Sequence, residues 1–382
     1  MRISERLSSS GRTAAIVVVS WLSLACSERR IDAENFVSEG LSAAPAAVSE
    51  DPENVVTAER DGSHVSLGVG RSIAVASWDT IWQNRGTFDD TLLLQPLQLH
   101  AAGSIVFVAD YGNKNIQAFD AESGDRLWSA GRSGGGPREF SRMTLFTASD
   151  ELLGVADDIN RRITFVSMRG EFESEATVAL PSGQQGVCKL GAHYFVAGSR
   201  AGRPRLLKWT PGSDSLELQQ PEWLSYFDTL QYIIGQFSLR RVDDSLCAIR
   251  HSVGPLDLLI FDSTLTLTKR VVPRERVRVA RVDTTMYAGS LALGVASGSG
   301  YGWGHPAVAD KSLFVTFRGS TAFRERIIDE FRLPDFTYVG THLAPHVLRG
   351  LAGAEDRLTL LMEDTAGFYV ITQLRRRAGR RE

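Results

Sequence analysis

The stretch "VFVADYGNKNIQAFD" (Val106–Asp120) returns as "LGVADDINRRITFVS" (Leu153–Ser167), 47 residues further along the chain. Val-Ala-Asp aligns with Val-Ala-Asp, Asn113 with Asn160 and Ile116 with Ile163. Each copy reads as a strand, a polar turn and a second strand. A hairpin recurring at about 40 to 50 residues is the signature of a radial array of small sheets. One hairpin alone is not stable in water. Four-stranded blades packed around an axis bury one another and leave only short, protected edges.

Weaker copies follow once these two calibrate the search. Six hairpins are found between about residues 104 and 374, with Asp110, Asp157, Gly198, Arg250, Phe317 and Met362 near equivalent positions, at steps of 47, 41, 52, 67 and 45. The long step holds an insertion over residues 270–305, ending in "AGSLALGVASGSGYGWGH" (Ala288–His305). Runs such as "SIVFVA" and "SLFVTF" are apolar on both faces, as strands are when a sheet is covered on both sides. The fold class is therefore all-β, a six-bladed β-propeller. "SIAVASWDTIWQ" (Ser72–Gln83) is strand-like and has no hairpin partner of its own. It is expected to join the last blade and close the ring.

The N-terminal region reads as an address. Arg2, Arg6 and Arg12 precede a 13-residue apolar stretch, Thr13–Ala25, too short to span a bilayer. It ends in "LSLAC" (Leu22–Cys26), which resembles the bacterial lipobox, with Ser23 where an aliphatic residue is preferred. The resemblance implies acylation of Cys26, and two acyl chains give the double anchor that stable attachment requires. Ser27 after the cysteine, in place of Asp, points to outer-membrane sorting in a bacterial envelope. Residues 26–64 are rich in Ser, Ala, Glu and Pro and read as a flexible tether. The layout is a signal peptide over 1–25, the tether over 26–64, the propeller over 65–374 and a basic tail over 375–382. Net charge is −3 for the whole chain, and about −5 without residues 1–25. A mildly acidic body with no basic stripe excludes nucleic acid as the main partner.

Between the two strong repeats lies "WSAGRSGGGPREF" (Trp128–Phe140). With the paired "VADYGNKNIQAFD" and "VADDINRRITFV", it resembles the NHL-repeat propellers and their Gly-Arg-x-Gly-x-Gly-Pro-Gly-Glu-Phe connector. Arg138 stands where that connector carries a glycine, so no positive φ is expected there. In the repeats, Asp110 and Asp157 are suited to accept turn N–H groups, and Asn113 and Asn160 to adopt left-handed geometry.

Chemistry-bearing patterns are sparse. "GRSGGGP" lacks the Lys-Ser/Thr of a phosphate loop and no helix follows it. No Gly-x-Ser-x-Gly elbow occurs. Seven histidines are scattered through the chain, and the His342/His346 pair spans a proline. Cys188 and Cys247, in strand-like runs and outside any CxxC, read as buried free thiols. Tyr301, Trp303 and His305 in the insertion are the first ligand-binding candidates, and Arg132 and Arg138 on the connector the second, for an anion. The sequence thus points to a membrane-anchored binding or assembly module for a protein, peptide or glycan, with no cofactor and no catalysis expected. The alternative is a gluconolactonase-like or lyase-type enzyme holding calcium or zinc in the central channel.

Overall fold

The computed structural model describes residues 55–60, 63–69, 78–86, 93–180, 186–200, 203–213, 215–227, 237–251, 257–272, 282–287, 290–295, 303–317 and 325–377. The signal, Cys26 and residues 273–281 lie outside them.

Six four-stranded antiparallel sheets form the blades. Their first strands are Pro96–Ala102, Met143–Thr147, Gly186–Leu190, Phe237–Arg241, Trp303–Ala309 and Val347–Ala354, in blades 1 to 6. Each first strand lies against that of the next blade, and blade 6 against blade 1, so these six are the inner strands of a closed ring. All six hairpin positions inferred from spacing fall in second strands: Ile105–Asp110, Leu152–Asp157, His193–Arg200, Leu246–His251, Ser312–Phe317 and Arg357–Glu363. Burial explains why these strands were legible. Ser312–Phe317 is buried at every residue, whereas the outermost strands Phe172–Thr177 and Leu267–Val271 are largely exposed.

The core is not one mass but six wedges, one at each junction. Phe107 and Ile116 of blade 1 pack with Met143 and Val155 of blade 2. Leu99 and Phe119 of blade 1 pack with Leu361 and Ile371 of blade 6, and Trp82 joins them. Trp82 belongs to Trp78–Arg85, which pairs antiparallel with Tyr369–Arg376 as the fourth strand of blade 6. Residues 72–77 of the segment expected there lie outside the described residues.

Trp82 and Trp128 make the same contact from the outermost strands of blades 6 and 1. Each indole N–H donates to a carbonyl of the following blade, Ala121 at 3.0 Å and Met168 at 2.9 Å. Each ring lies against a positive-φ glycine, Gly124 or Gly170, where a Cβ would meet it within 3 Å. A tryptophan in the outer strand is thus a third repeated element.

Several expectations are corrected. Cys188 and Cys247 are a disulfide, not free thiols: blade packing brings their Cα atoms to 6.3 Å, within bridging range, across 59 residues of chain. The bond ties the inner strand of blade 3 to the second strand of blade 4. Strand structure begins inside the expected tether, as the antiparallel hairpin Val55–Arg60 and Ser63–Val69. The intervening Asp61-Gly62 is a pair favoured in two-residue hairpin loops. The insertion ends sooner than residue 305, because Trp303 already belongs to the inner strand of blade 5. Within it, Val282–Tyr287 and Ser290–Val295 form an antiparallel hairpin.

The basic tail is also shorter. Arg375 pairs with Glu122, Arg376 with Glu330 at 2.9 Å, and Arg377 with Asp79 at 2.6 Å, so carboxylates around the last blade engage the first three residues.

Trp82→Ala removes a buried indole and its bond across the junction of blades 6 and 1. We expect a loss of about 3 to 5 kcal/mol in urea unfolding, with secondary structure in native buffer retained.

Candidate functional site

A cavity of about 560 Å³ lies on the ring axis, lined by the inner strands of all six blades. It sits toward the end where inner strands turn into second strands, with Asp150, Asp243 and Glu355 of blades 2, 4 and 6 at its edge.

Register decides which side chains face it. On the inner strand of blade 1, Leu99 packs into the junction with blade 6, leaving Gln98 and His100 on the opposite face. On that of blade 4, Leu239 packs into the junction with blade 3, leaving Arg240 on the other side. The Gln98 side-chain amide oxygen Oε1 accepts the Leu145 N–H at 2.9 Å, and Arg240 Nη1 donates to the Leu145 carbonyl at 2.9 Å. The backbone of Leu145 in blade 2 is therefore held at both its N–H and its carbonyl by side chains from blades 1 and 4, with Arg240 reaching across the ring to do so. His100 Nε2 lies 2.7 Å from Thr147 Oγ1, and Lys189 Nζ donates to the Ala148 carbonyl at 2.7 Å.

The interior charge is positive. Burial, and after it the nearby Arg240 charge, pushes the His100 pKa down to about 3, so its imidazole is neutral at physiological pH. Burial also lowers the Arg240 guanidinium to about 10, against a smaller opposing effect of Tyr111. Arg240 is 9% exposed and has no carboxylate partner among the described residues. Among the described residues no group of three His, Cys, Asp or Glu side chains converges as a metal site.

The sequence-derived candidates are not gathered here. Arg132 and Arg138 line a separate surface hollow of about 580 Å³ near Phe172. Arg132 pairs with Glu139 at 2.9 Å, and the Arg138 guanidinium lies 5.3 Å from the Phe172 ring centre. Arg138 has φ +61°, contrary to the expectation from its departure from the connector pattern. The turn imposes this geometry: the Glu139 N–H bonds the Gly136 carbonyl at 3.1 Å, and its carboxylate accepts the Gly136 N–H at 2.7 Å. Trp303 and His305 lie in the inner strand of blade 5, and Tyr301 lies outside the described residues.

His100 and Arg240 escaped sequence reading. A lone histidine and one arginine of an Arg-Arg pair become informative only once register and ring closure show that they face the same axis.

No family model matches the chain, and no curated protein matches it. Among solved structures it is similar to a Bacteroides fragilis protein inferred to be exported, at 10% identity over 78% of this chain and 95% of that one, with a TM-score of 0.50. Virginiamycin B lyase from Staphylococcus aureus also matches, at 10% identity over 78% and 99% of the two chains (TM-score 0.49). So does the WD40 domain of Neurospora crassa Pan2, at 8% identity over 81% and 98% (TM-score 0.45). These likenesses concern the fold alone.

Because His100 has a lowered pKa in the folded state, its contribution to stability is complete above the ordinary histidine value and is lost as pH falls from about 6.5 toward 3. Urea unfolding between pH 7 and 5 should show a steeper acid loss for the native chain than for His100→Asn. The slopes should differ by about 1.4 kcal/mol per pH unit below pH 6. Equal slopes would mean that His100 is protonated in the fold.

Proposed function

We propose that this chain is an extracytoplasmic, lipid-anchored binding module of NHL type, and that its ligand, a peptide, glycan or small molecule, enters the mouth of the central channel. The observation that carries this reading is the axial cavity of about 560 Å³, to which all six blades contribute and which holds a buried guanidinium. Its volume lies in the usual range for ligand sites, which combine apolar walls with a few placed polar groups. The ring of backbone supplies the rigidity such a site requires.

Export is supported by three observations of different kind. Residues 1–25 have the order of a secretory signal. The Cys188–Cys247 disulfide is at home in an oxidising compartment. One structural neighbour is itself inferred to be exported. The "LSLAC" sequence adds the anchor at Cys26, and the residues after it a tether to the first hairpin.

Channel catalysis with bound calcium or zinc is the weaker reading, because Arg240 stands where a cation would have to be held, and a guanidinium repels cations and attracts anions. The shallow hollow at Arg132 and Arg138 is secondary for a related reason: Arg132 is already neutralised by Glu139.

Two outcomes are expected. Cys26→Ser should move the protein from the membrane pellet to the soluble envelope fraction, and continued sedimentation with membranes would refute the anchor. Ala354→Trp places an indole at the cavity edge. Native mass spectrometry of protein isolated from its own envelope should show a bound ligand on the wild type and none on this variant, with both melting within a few degrees. A ligand retained by Ala354→Trp would put the binding site elsewhere.

A further inference from the structure

Resting on the channel reading above, we infer that Arg240 is the recognition group for a carboxylate, and that the channel takes a ligand whose carboxylate end lies at Arg240 and whose other end, neutral or cationic, lies at the acidic rim.

The argument begins with donors. A guanidinium carries five N–H groups in a fixed plane. Arg240 spends Nη1 on the Leu145 carbonyl. Its Nε and Nη2 have no acceptor among the described residues, yet neither is sealed away from solvent-accessible space as a buried, unsatisfied atom. The residue lines the axial cavity, so these N–H groups face that space. Nε–H and one Nη2–H are parallel and match the two oxygens of a carboxylate. The Leu145 bond also fixes the plane of the guanidinium, so little side-chain freedom remains to be lost on binding.

Energetics point the same way. A buried charge without a counter-charge is costly, and proteins pair such groups or bind an ion there. The same strand makes the contrast visible: Arg241, the next residue, pairs with Asp244. The one bond that Arg240 makes among the described residues, to the Leu145 carbonyl, does not require a cation, since a neutral N–H donor can make it equally well.

The rim sets the polarity of the ligand. Asp150, Asp243 and Glu355 come from alternate blades, so a second negative charge at the outer end would be repelled from three sides. His100, neutral at physiological pH, adds no competing positive charge beside Arg240. An amino acid or peptide C-terminus with a free amine fits this gradient, and a polyanion does not.

Acetate is the minimal probe. At fixed ionic strength with chloride as the exchange ion, sodium acetate should raise the Tm of the full mature chain saturably. The expected rise is about 2 to 4 °C at tenfold excess over Kd. Arg240→Met should abolish that rise while melting no lower than the wild type in chloride, and phosphate should be less effective than acetate. Equal acetate effects in both proteins, or no saturable effect in the wild type, would overturn the assignment. An Arg240→Met chain that melts many degrees lower and a wild type blind to acetate would make Arg240 a structural tie to Leu145 instead. The ligand from native envelopes separates this inference from the channel reading. If Ala354→Trp loses that ligand and Arg240→Met keeps it, the channel binds but not through a carboxylate.

Discussion

Every other feature of this molecule depends on burial at the junctions between blades. Each sheet is a twisted ribbon with two apolar faces, and neither face is covered by anything in its own blade. Among the described residues the core consists of six separate clusters, one per junction. Stability is then a property of neighbouring pairs, and an open ring would leave two faces wet at once. This is why covalent and ionic fastenings are found at junctions. The disulfide bridges blades 3 and 4, and Arg376 of blade 6 reaches Glu330 of blade 5. Trp82 clamps blade 6 to blade 1.

The two strong repeats were legible because their residues do geometric work that few side chains can do. Asp110 is fully buried, and its carboxylate accepts the N–H groups of Leu94, Gln95, Gly112 and Asn113 together with the Asn113 side-chain amide. Asp157 repeats the pattern with Ser141, Arg142 and Asn160. One carboxylate thus organises the chain's entry into the inner strand and the turn after the second. The asparagines are there to hold that carboxylate, at 2.8 Å in both blades, and not to adopt left-handed backbone. The positive φ falls one residue later, at Lys114 and Arg161. Sequence alone identified which residues matter and assigned one of their roles to the wrong neighbour.

What could not be read is whatever depends on which blades touch. Cys188 and Cys247 sit in unremarkable apolar runs, and only packing of blade 3 on blade 4 makes them partners. The arginines of the C-terminal run read as a basic tail because their acids, Asp79, Glu122 and Glu330, lie far away in sequence. At the insertion the converse holds: a Gly-rich flank disguised the start of a strand at Trp303, one of the six inner strands. There, period-2 alternation hides a channel-facing residue among core ones. His100 follows Leu99 and Arg240 follows Leu239, and the difference between core and channel is a single residue of register.

The treatment of buried charge distinguishes structural from functional positions in this protein. Glu330 is 1% exposed, and burial acts to raise its pKa. Bonds from His342 at 2.7 Å and Ser312 at 2.7 Å, with the Arg376 charge, reverse that and hold it below the usual glutamate range. Arg162, 5% exposed, spends its guanidinium on the Gly136 and Glu139 carbonyls and on Glu175. Asp110 and Asp157 are saturated by N–H donors. These four buried ions are each surrounded by several partners, because a buried ion left unpaired is costly. Arg240 departs from this rule with one carbonyl acceptor, and it does so at the axis, where six inner strands leave room for a molecule that is not part of the chain.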